Sequence, residues 1–96
     1  MSGARFDWDP AKDRVNRLKH GVDFATAQRA FLDRRRVIAV DPAHSSNEPR
    51  YFCFGLVASD VLTVSFTYRA GVVRIFGACY WRRGRQIYDR ENQVHR

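Results

Sequence analysis

A first helix is predicted near the start of the chain, where apolar residues recur at helical spacing. Asp9-Pro10 is a typical helix start, because a capping carboxylate precedes a proline at the first helical position. Gly21 supplies a stop after a positively charged last turn. The residues that share one helical face at positions i, i+4 and i+7 are Ala11, Val15 and Leu18. The pattern therefore predicts a helix with these three residues as its apolar face.

A second helix is predicted directly after the first. Asp23 is again a capping residue, and the helix runs from there to about Leu32. Its apolar stripe is formed by Phe24, Ala27 and Phe31. The aromatic residue Trp8 lies ahead of both helices. We expect it to staple the first helix to the rest of the fold, although it could also stack on a base.

After residue 36 the pattern changes to short runs that are typical of strands. Residues 37–40 form a short β-like run that ends at Asp41-Pro42, and residues 43–49 have the composition of a loop. Residues 51–57 are apolar on both alternating faces, as expected of a central strand. From residue 62 to residue 69 apolar and polar positions alternate, and a further strand follows over residues 72–78. The segment predicts about four antiparallel strands.

The end of the chain is expected to form a last helix from Arg82 to about Glu91, with Ile87 as its main aliphatic anchor. Gly84 weakens this helix by about 1 kcal/mol. Together the elements predict an α+β fold, with two N-terminal helices, a sheet of about four antiparallel strands and a C-terminal helix. With 96 residues, the chain is long enough for one domain, which we place over residues 1–96.

Composition narrows the class of protein. An apolar fraction of 45% with 14% aromatic residues indicates a folded chain rather than a disordered one. No run of about 18 apolar residues suggests a membrane span, and the start of the chain lacks the pattern of a signal peptide. We therefore expect a cytoplasmic protein that does not bind a membrane.

Cysteines and histidines give no sign of a metal site. Cys53 and Cys79 lie in apolar stretches and are expected to be buried thiols rather than a disulfide or a metal pair. The three histidines, His20, His44 and His95, have no ligand spacing with either cysteine. Neither a metal nor another cofactor is expected.

Positive charge is concentrated toward the end of the chain. The formal net charge is +7, and residues 69–96 hold seven arginines against two acidic residues. Arginine is well suited to bidentate phosphate contacts and to stacking on bases. A solvated basic surface is the alternative, but the asymmetry favours a polyanionic partner.

Several motifs along nearly the whole chain resemble the BrnT toxins of type II toxin–antitoxin systems. The start Phe6-Asp7-Trp8-Asp9-Pro10-Ala11-Lys12 is similar to the F-x-W-D-x-x-K start of that family. A second segment is similar to its N-x-x-K-H-G-V-x-F signature, namely Asn16 with Lys19-His20-Gly21-Val22 and Phe24. Further matches are Ala27, Phe31-Leu32-Asp33, Asp41, His44, Glu48, Arg50, Gly55, the strand 62–67, Arg69 and Arg74-Ile75.

The resemblance implies a compact RelE-like fold and ribonuclease activity. It also implies neutralisation by a ribbon-helix-helix antitoxin called BrnA, in complexes that commonly bind their own operator DNA through the antitoxin. We accordingly expect a metal-independent endoribonuclease that cleaves mRNA and inhibits translation, with RNA and a BrnA-like antitoxin as partners.

The chain departs from the family pattern at the end of its last strand. Where the family usually has I-S-A-R, this sequence has Phe76-Gly77-Ala78-Cys79, and a frequent family glutamate is Gly84. A neutral cysteine cannot hold a phosphate as arginine does. Either Arg82 or Arg83 replaces the missing arginine, or activity is weakened. The alternative function is therefore a BrnT-like module that binds nucleic acid or antitoxin but has lost cleavage.

Four residues are the candidates for catalysis: His20, Arg50, Arg69 and Arg74. RelE-like proteins use the 2′-hydroxyl of the RNA itself as the nucleophile. The protein must therefore move protons, as histidine can, and stabilise a crowded phosphate, as arginine can. His20 could instead only complete a helix end. The three arginines could form structural ion pairs with Glu48 or Asp41, although we favour a phosphate-binding cluster.

The candidates for RNA binding are Lys12, Lys19, His44, Arg82, Arg83 and Arg85. The two lysines are seven residues apart and so share a helix face, and the three arginines begin the last helix. For each group a solvated surface is the alternative, and His44 could equally transfer a proton or be an exposed loop histidine. Tyr88 could stack on a base but is expected to anchor the last helix to the sheet.

Overall fold

The computed structural model describes residues 5–95 and places its helices around one mixed sheet. The single-domain prediction also includes residues 1–4 and 96, which lie outside the described residues. The helices and strands follow in the order β1 (Arg5–Trp8), α1 (Pro10–His20), α2 (Phe24–Ala27), a 3-10 segment (Gln28–Leu32), β2 (Val37–Val40), a second 3-10 segment (Pro42–His44), β3 (Tyr51–Val57), β4 (Asp60–Arg69), β5 (Val72–Cys79) and α3 (Arg82–Glu91).

The sheet has five strands in the order β1-β5-β4-β3-β2. The four predicted antiparallel strands are β2 to β5, and the prediction is wrong only in omitting a fifth strand, which is parallel. The strand that sequence analysis missed is β1, which pairs in parallel with β5 from Arg5 opposite Val72 to Trp8 opposite Ile75. Four residues give too little alternation to predict a strand, and the pairing partner lies far along the chain. The α+β class and the strands β2 to β5 are confirmed. The predicted second helix is α-helical only over Phe24–Ala27 and continues as a 3-10 segment over Gln28–Leu32.

One face of the sheet carries the main core. Apolar residues that alternate along β4 and β5 point toward α2 and the first 3-10 segment, among them Val64, Phe66 and Ile75. Aromatic rings meet edge to face in this layer, since the centroid of Phe31 lies 5.0 Å from that of Phe66. Trp8 lies in β1, and its ring contacts Phe24 of α2 at 6.0 Å between centroids, so it anchors α2.

The second face is covered at one end by α3. Tyr88 is its fully buried anchor, whereas Ile87, the anchor predicted from sequence, is only partly buried. The Tyr88 hydroxyl donates a hydrogen bond of 2.7 Å to Asp33, and the same carboxylate oxygen accepts one from the backbone N–H of Leu56. Burial raises the pKa of Asp33, but these hydrogen bonds outweigh it and hold the pKa below its usual range. The Asp33 carboxylate therefore ties α3 to β3.

Gly84 lets α3 approach β4 more closely than any other residue type would. A Cβ atom at this position would overlap with the Thr63 hydroxyl and lie 2.9 Å from Cδ1 of Phe54. The low helix propensity of glycine does not prevent the helix, because the close packing of α3 on the sheet offsets the loss of stability.

The helix caps form as predicted. The Asp9 carboxylate accepts a hydrogen bond from the N–H of Ala11, and the Asp23 carboxylate accepts one from Thr26. Gly21 ends α1 with φ at +71°, a conformation that favours glycine. These contacts are local, which explains why the bounds of α1 are correct in the prediction.

The predicted apolar face of α1 is wrong, because this helix turns a polar residue toward the sheet. Asn16 is the buried residue of α1, whereas Val15 and Leu18 are 57% and 80% exposed. The Asn16 side chain donates hydrogen bonds to the carbonyl oxygens of Val22 and Ala78, each 2.8 Å long, and accepts one from the N–H of Ala78. Hydrogen bonding to the backbone of β5 therefore turns the Asn16 amide, rather than the apolar stripe of α1, toward the sheet.

Within residues 5–95, no helix is long and apolar enough to cross a membrane.

Replacing Gly84 by Ala should lower the free energy of unfolding by about 1–3 kcal/mol, because the added methyl group forces α3 away from Thr63 and Phe54. Urea denaturation measures the change. Gly77→Ala is the matched control, since its Cβ would meet only the Asn16 Oδ1 atom, at an ordinary 3.7 Å. Equal stability of Gly84→Ala and wild type would show that α3 does not pack this closely.

Candidate nucleic-acid interface

The part of the second sheet face that α3 leaves open forms a groove. Its floor consists of residues from three neighbouring strands: Phe52 of β3, Ser65 of β4, and Phe76 and Gly77 of β5. On the β5 side, α1 contributes Asn16 and His20 to the wall. On the β3 side, the segment 41–50 contributes its own side chains. This floor and its two walls together are called the groove.

A β-bulge places an aromatic ring at the centre of the groove. In the pairing of β4 with β5, Ser65 lies opposite Gly77 while Phe66 lies opposite Ile75, so Phe76 is the extra residue. Bulges commonly redirect a side chain at a functional site. Three cationic groups surround the Phe76 ring: the Arg50 guanidinium carbon at 3.8 Å from its centroid, the Lys12 ammonium at 5.3 Å and the Arg69 guanidinium carbon at 5.6 Å.

The predicted arginines are held by carboxylates. Arg69 makes two hydrogen bonds to Glu48, 2.7 and 3.1 Å long, and Arg50 Nε lies 3.7 Å from the same carboxylate. The hydrogen bond from Arg69 holds the pKa of Glu48 below its usual range and raises the pKa of Arg69. Arg74 lies 3.4 Å from Asp7 of β1. The ion pairs with Glu48, which sequence analysis left as an alternative, are therefore present, and a phosphate would have to compete with them.

A histidine and a buried aspartate form a pair on the β3 side of the groove. The Nδ1 atom of His44 lies 2.8 Å from Oδ2 of Asp41, whose side chain is 11% exposed while that of His44 is 71% exposed. Because a carboxylate oxygen accepts hydrogen bonds, a neutral His44 ring that donates from Nδ1 to Asp41 has Nε2 free to accept a proton. Asp41 thereby fixes the tautomer of an accessible histidine.

Hydrogen bonds between its two ends close the segment 41–50 into a loop. This loop holds His44 and Arg50 on the same side of the groove. The N–H of Asp41 donates to the carbonyl oxygen of Arg50, and the N–H of Arg50 donates to the Ser45 hydroxyl. That hydroxyl in turn donates to the carbonyl oxygen of Asp41 at 2.6 Å. His44 and Arg50 consequently line one concavity together with Phe76.

The other predicted residues divide into two groups. Lys12, Lys19 and His20 line one concavity of α1 that also reaches Phe76, so the structure brings them to the groove. Arg82 and Arg85 line a separate concavity beyond Trp81, where Arg85 lies 3.9 Å from Asp60. Arg83 is exposed on α3.

Cys79 lies at the far end of the groove, beside Thr63 and Trp81. Burial raises the pKa of its thiol, so the group is uncharged at neutral pH. Cys53 is buried in the core, and burial raises the pKa of its thiol to about 12. Among residues 5–95, no three His, Cys, Asp or Glu side chains are grouped so that they could hold a metal ion.

The floor of the groove was not predicted from the sequence. Phe52 and Ser65 alternate with core residues in their strands, so that pattern could have placed them on the second face. Phe76 could not have been found in this way, because the bulge breaks the alternation of β5. The pairing of Asp41 with His44 was also missed, although the spacing of three residues in a short turn was visible.

A family model described as "Ribonuclease toxin, BrnT, of type II toxin-antitoxin system" matches residues 8–84, which is more than half of the chain. The match runs from Trp8 of β1 to Gly84 of α3 and includes both walls and the floor of the groove. No curated protein is similar enough to be matched to the chain.

Replacing Glu48 by Gln should raise the affinity for a short single-stranded RNA about two- to fivefold, because it releases Arg69 and Arg50 from their shared carboxylate. Fluorescence anisotropy at low salt measures the affinity. Glu91→Gln makes the same change of net charge at an exposed position on α3 and serves as control. A weaker affinity with Glu48→Gln would mean that the carboxylate orients the arginines for RNA instead of competing with it.

Proposed function

Because the chain belongs to the BrnT family of ribonuclease toxins from type II toxin–antitoxin systems, we propose that it cleaves mRNA as a metal-independent endoribonuclease and so inhibits translation. We further propose that the protein acts in the cytoplasm and is silenced by a BrnA-like ribbon-helix-helix antitoxin. The resulting complex would bind operator DNA through the antitoxin.

One observation carries this proposal: His44, held by Asp41, and Arg50, stacked on Phe76, line the same concavity. A proton acceptor and a phosphate-binding cation are two of the groups that RNA cleavage by its own 2′-hydroxyl requires. Both groups are positioned by neighbouring side chains before any RNA binds, which lowers the entropic cost of reaching the reactive geometry.

The proposed reaction is a displacement at phosphorus. The 2′-oxygen forms a bond to the adjacent phosphorus while the bond from phosphorus to the 5′-oxygen of the next nucleotide breaks. A 2′,3′-cyclic phosphate and a 5′-hydroxyl result. The proton of the 2′-hydroxyl passes to the base, and the leaving oxygen receives a proton from the acid.

We assign the base to Nε2 of His44, because the hydrogen bond from Nδ1 to Asp41 leaves that atom free to accept. Arg50 and Arg69 stabilise the charge that accumulates on the phosphate, with Lys12 beside them at Phe76. His20 on the opposite wall is a second proton carrier, suited to the leaving oxygen. Arg74 is not one of the residues that line the groove, and it lies 3.4 Å from Asp7 of β1.

Aromatic residues at the far end of the groove are suited to bind bases. The ring centroids of Phe52 and Trp81 lie 5.8 Å apart, and both residues line the groove. Stacking on such rings is the usual way in which proteins bind unpaired bases. Arg82 and Arg85, beyond Trp81, could extend the phosphate contacts in that direction.

The alternative function is a BrnT-like module that binds antitoxin or nucleic acid without cleaving. What favours it is Cys79, which places an uncharged thiol in the groove where the family usually has arginine. This alternative predicts RNA binding with no cleavage by the wild-type protein, whereas the main proposal predicts both.

Purified protein should cleave a single-stranded RNA in the presence of EDTA, and it should not cleave the same strand with 2′-deoxyribose throughout. His44→Ala and Arg50→Ala should each lower the cleavage rate by about 100-fold or more, because they remove the base and a phosphate contact. Arg29→Ala, at an exposed position of the first 3-10 segment, should keep the wild-type rate. Gel analysis of end-labelled RNA measures the products.

Loss of cleavage on chelation would contradict the metal-free reaction. Cleavage of the all-deoxy strand would exclude the 2′-hydroxyl as nucleophile. An unchanged rate with His44→Ala would remove this histidine from the mechanism, whatever the other variants do.

Expression of the chain alone should arrest bacterial growth, and Arg50→Ala or Arg69→Ala should relieve the arrest. Arg74→Ala should relieve it less, because the contact of Arg74 with Asp7 is a half-exposed ion pair that contributes about 1 kcal/mol or less. Growth curves at matched protein levels, verified by immunoblot, measure the effect. A harmless wild-type protein at good expression would contradict the catalytic proposal and favour the binding module.

A further inference from the structure

The outer face of α1 carries an apolar stripe that nothing in residues 5–95 covers. Ala11, Val15 and Leu18 lie on a face of the helix that is turned away from the sheet, and Val15 and Leu18 are 57% and 80% exposed. One edge of this face, at Ala11 and Val15, borders the concavity that α1 shares with Phe76. The stripe extends over two turns, about 10 Å at the rise of an α-helix. Burying it against a partner would be favourable, because exposed aliphatic side chains gain about 25 cal/mol for each Å² removed from water.

Basic side chains run along both edges of this stripe. Helical geometry places Lys12 and Lys19 along the edge near the groove, and Arg14 and Arg17 along the other edge. Within residues 5–95, none of these four side chains has a carboxylate within 4 Å; the salt bridges found there involve other residues. Hydrogen bonds from Thr26, and to a smaller extent the nearby charge of Arg17, lower the pKa of the Asp23 carboxyl. Lys12 lies over Phe76, but in the described part of the chain none of the four cations is bound in a salt bridge that a partner would have to break.

We propose that this face of α1 is the docking site for an acidic amphipathic helix of the antitoxin. The proposal rests on the proposed function for the existence of that partner, and it adds the location and the chemistry of the contact. An apolar stripe with like charges on both edges is complementary to a helix whose apolar residues are flanked by Asp and Glu. RNA would use the basic edges but would gain nothing from Val15 and Leu18.

The position of this face also accounts for silencing. Lys12, Val15, Lys19 and His20 line the concavity that connects α1 with Phe76. An acidic helix on the stripe would engage the two lysines and cover one wall of the groove. The partner therefore blocks RNA without any contact to His44 or Arg50.

Leu18→Glu tests the site, with Leu32→Glu as matched control. Both leucines are about equally exposed, at 80% and 78%, but Leu32 lies on the first 3-10 segment, away from α1. The probe is the small protein encoded beside this chain, titrated against each variant by isothermal calorimetry. Leu18→Glu should weaken its binding by at least about 30-fold, as loss of a central contact does, while Leu32→Glu should bind within threefold of wild type.

Charge is tested separately. Arg14→Glu combined with Arg17→Glu should also weaken the binding, and the loss should shrink as salt is raised. Thermal unfolding of the Leu18→Glu and Leu32→Glu variants should match, because both residues are at the surface.

Three results would overturn the inference: wild-type affinity of Leu18→Glu, no binding of the neighbouring protein to the wild-type chain, or loss of binding with Val40→Glu instead. Val40 is 61% exposed on the edge strand β2, so the last result would place the partner there. RNA cleavage by free Leu18→Glu should equal that of Leu32→Glu. If the wild-type chain cleaves no RNA but Leu18→Glu still loses the partner, the proposed function fails and this docking site stands.

Discussion

The buried amide of Asn16 fixes the orientation of α1 on the sheet. This orientation determines which face of the helix borders the groove and which face is exposed. Its hydrogen bonds to Val22 and Ala78 satisfy backbone groups that would otherwise be buried without partners. Leaving such groups unsatisfied costs about 1–3 kcal/mol each, so the alternative orientation, with the apolar stripe inward, is disfavoured. One polar contact thus sets which side of α1 borders the groove and which side is left for a partner.

Charge balance keeps the positive side chains of the groove close together. Its cations gather around the Phe76 ring, and a single carboxylate, Glu48, offsets two of them. Pairing of this kind lets several positive side chains remain close together in the free protein without strong repulsion. A phosphate that enters can replace the carboxylate, so the free protein keeps the geometry that the bound state needs. Asp41 has the same effect on His44, because it holds the ring in one tautomer.

Local chemistry predicted the bounds of α1 and the start of α2, but not the change to a 3-10 segment after Ala27. Long-range contacts account for the other errors. Asp9, Asp23 and Gly21 act within one turn of their helix, so sequence alone locates α1 and the start of α2. The strand β1 depends on pairing with a segment more than sixty residues away. The candidate residues His20, His44 and Arg50 follow from residue type and the family resemblance. The spacing of Asp41 and His44 is compatible with their pairing, but the central place of Phe76 depends on a bulge that spacing does not reveal.

The close approach of α3 to β4 links residues that would otherwise vary independently. Thr63 lies beneath Gly84, pairs with Cys79 in the sheet and also lines the groove. A larger residue at position 84 therefore requires a change at position 63, and that change alters the groove beside position 79. Substitutions at these three positions should be strongly non-additive. The seat of the last helix and the far end of the groove therefore share one hydroxyl, so a designer could not reshape the groove at position 79 without also refitting the helix at position 84.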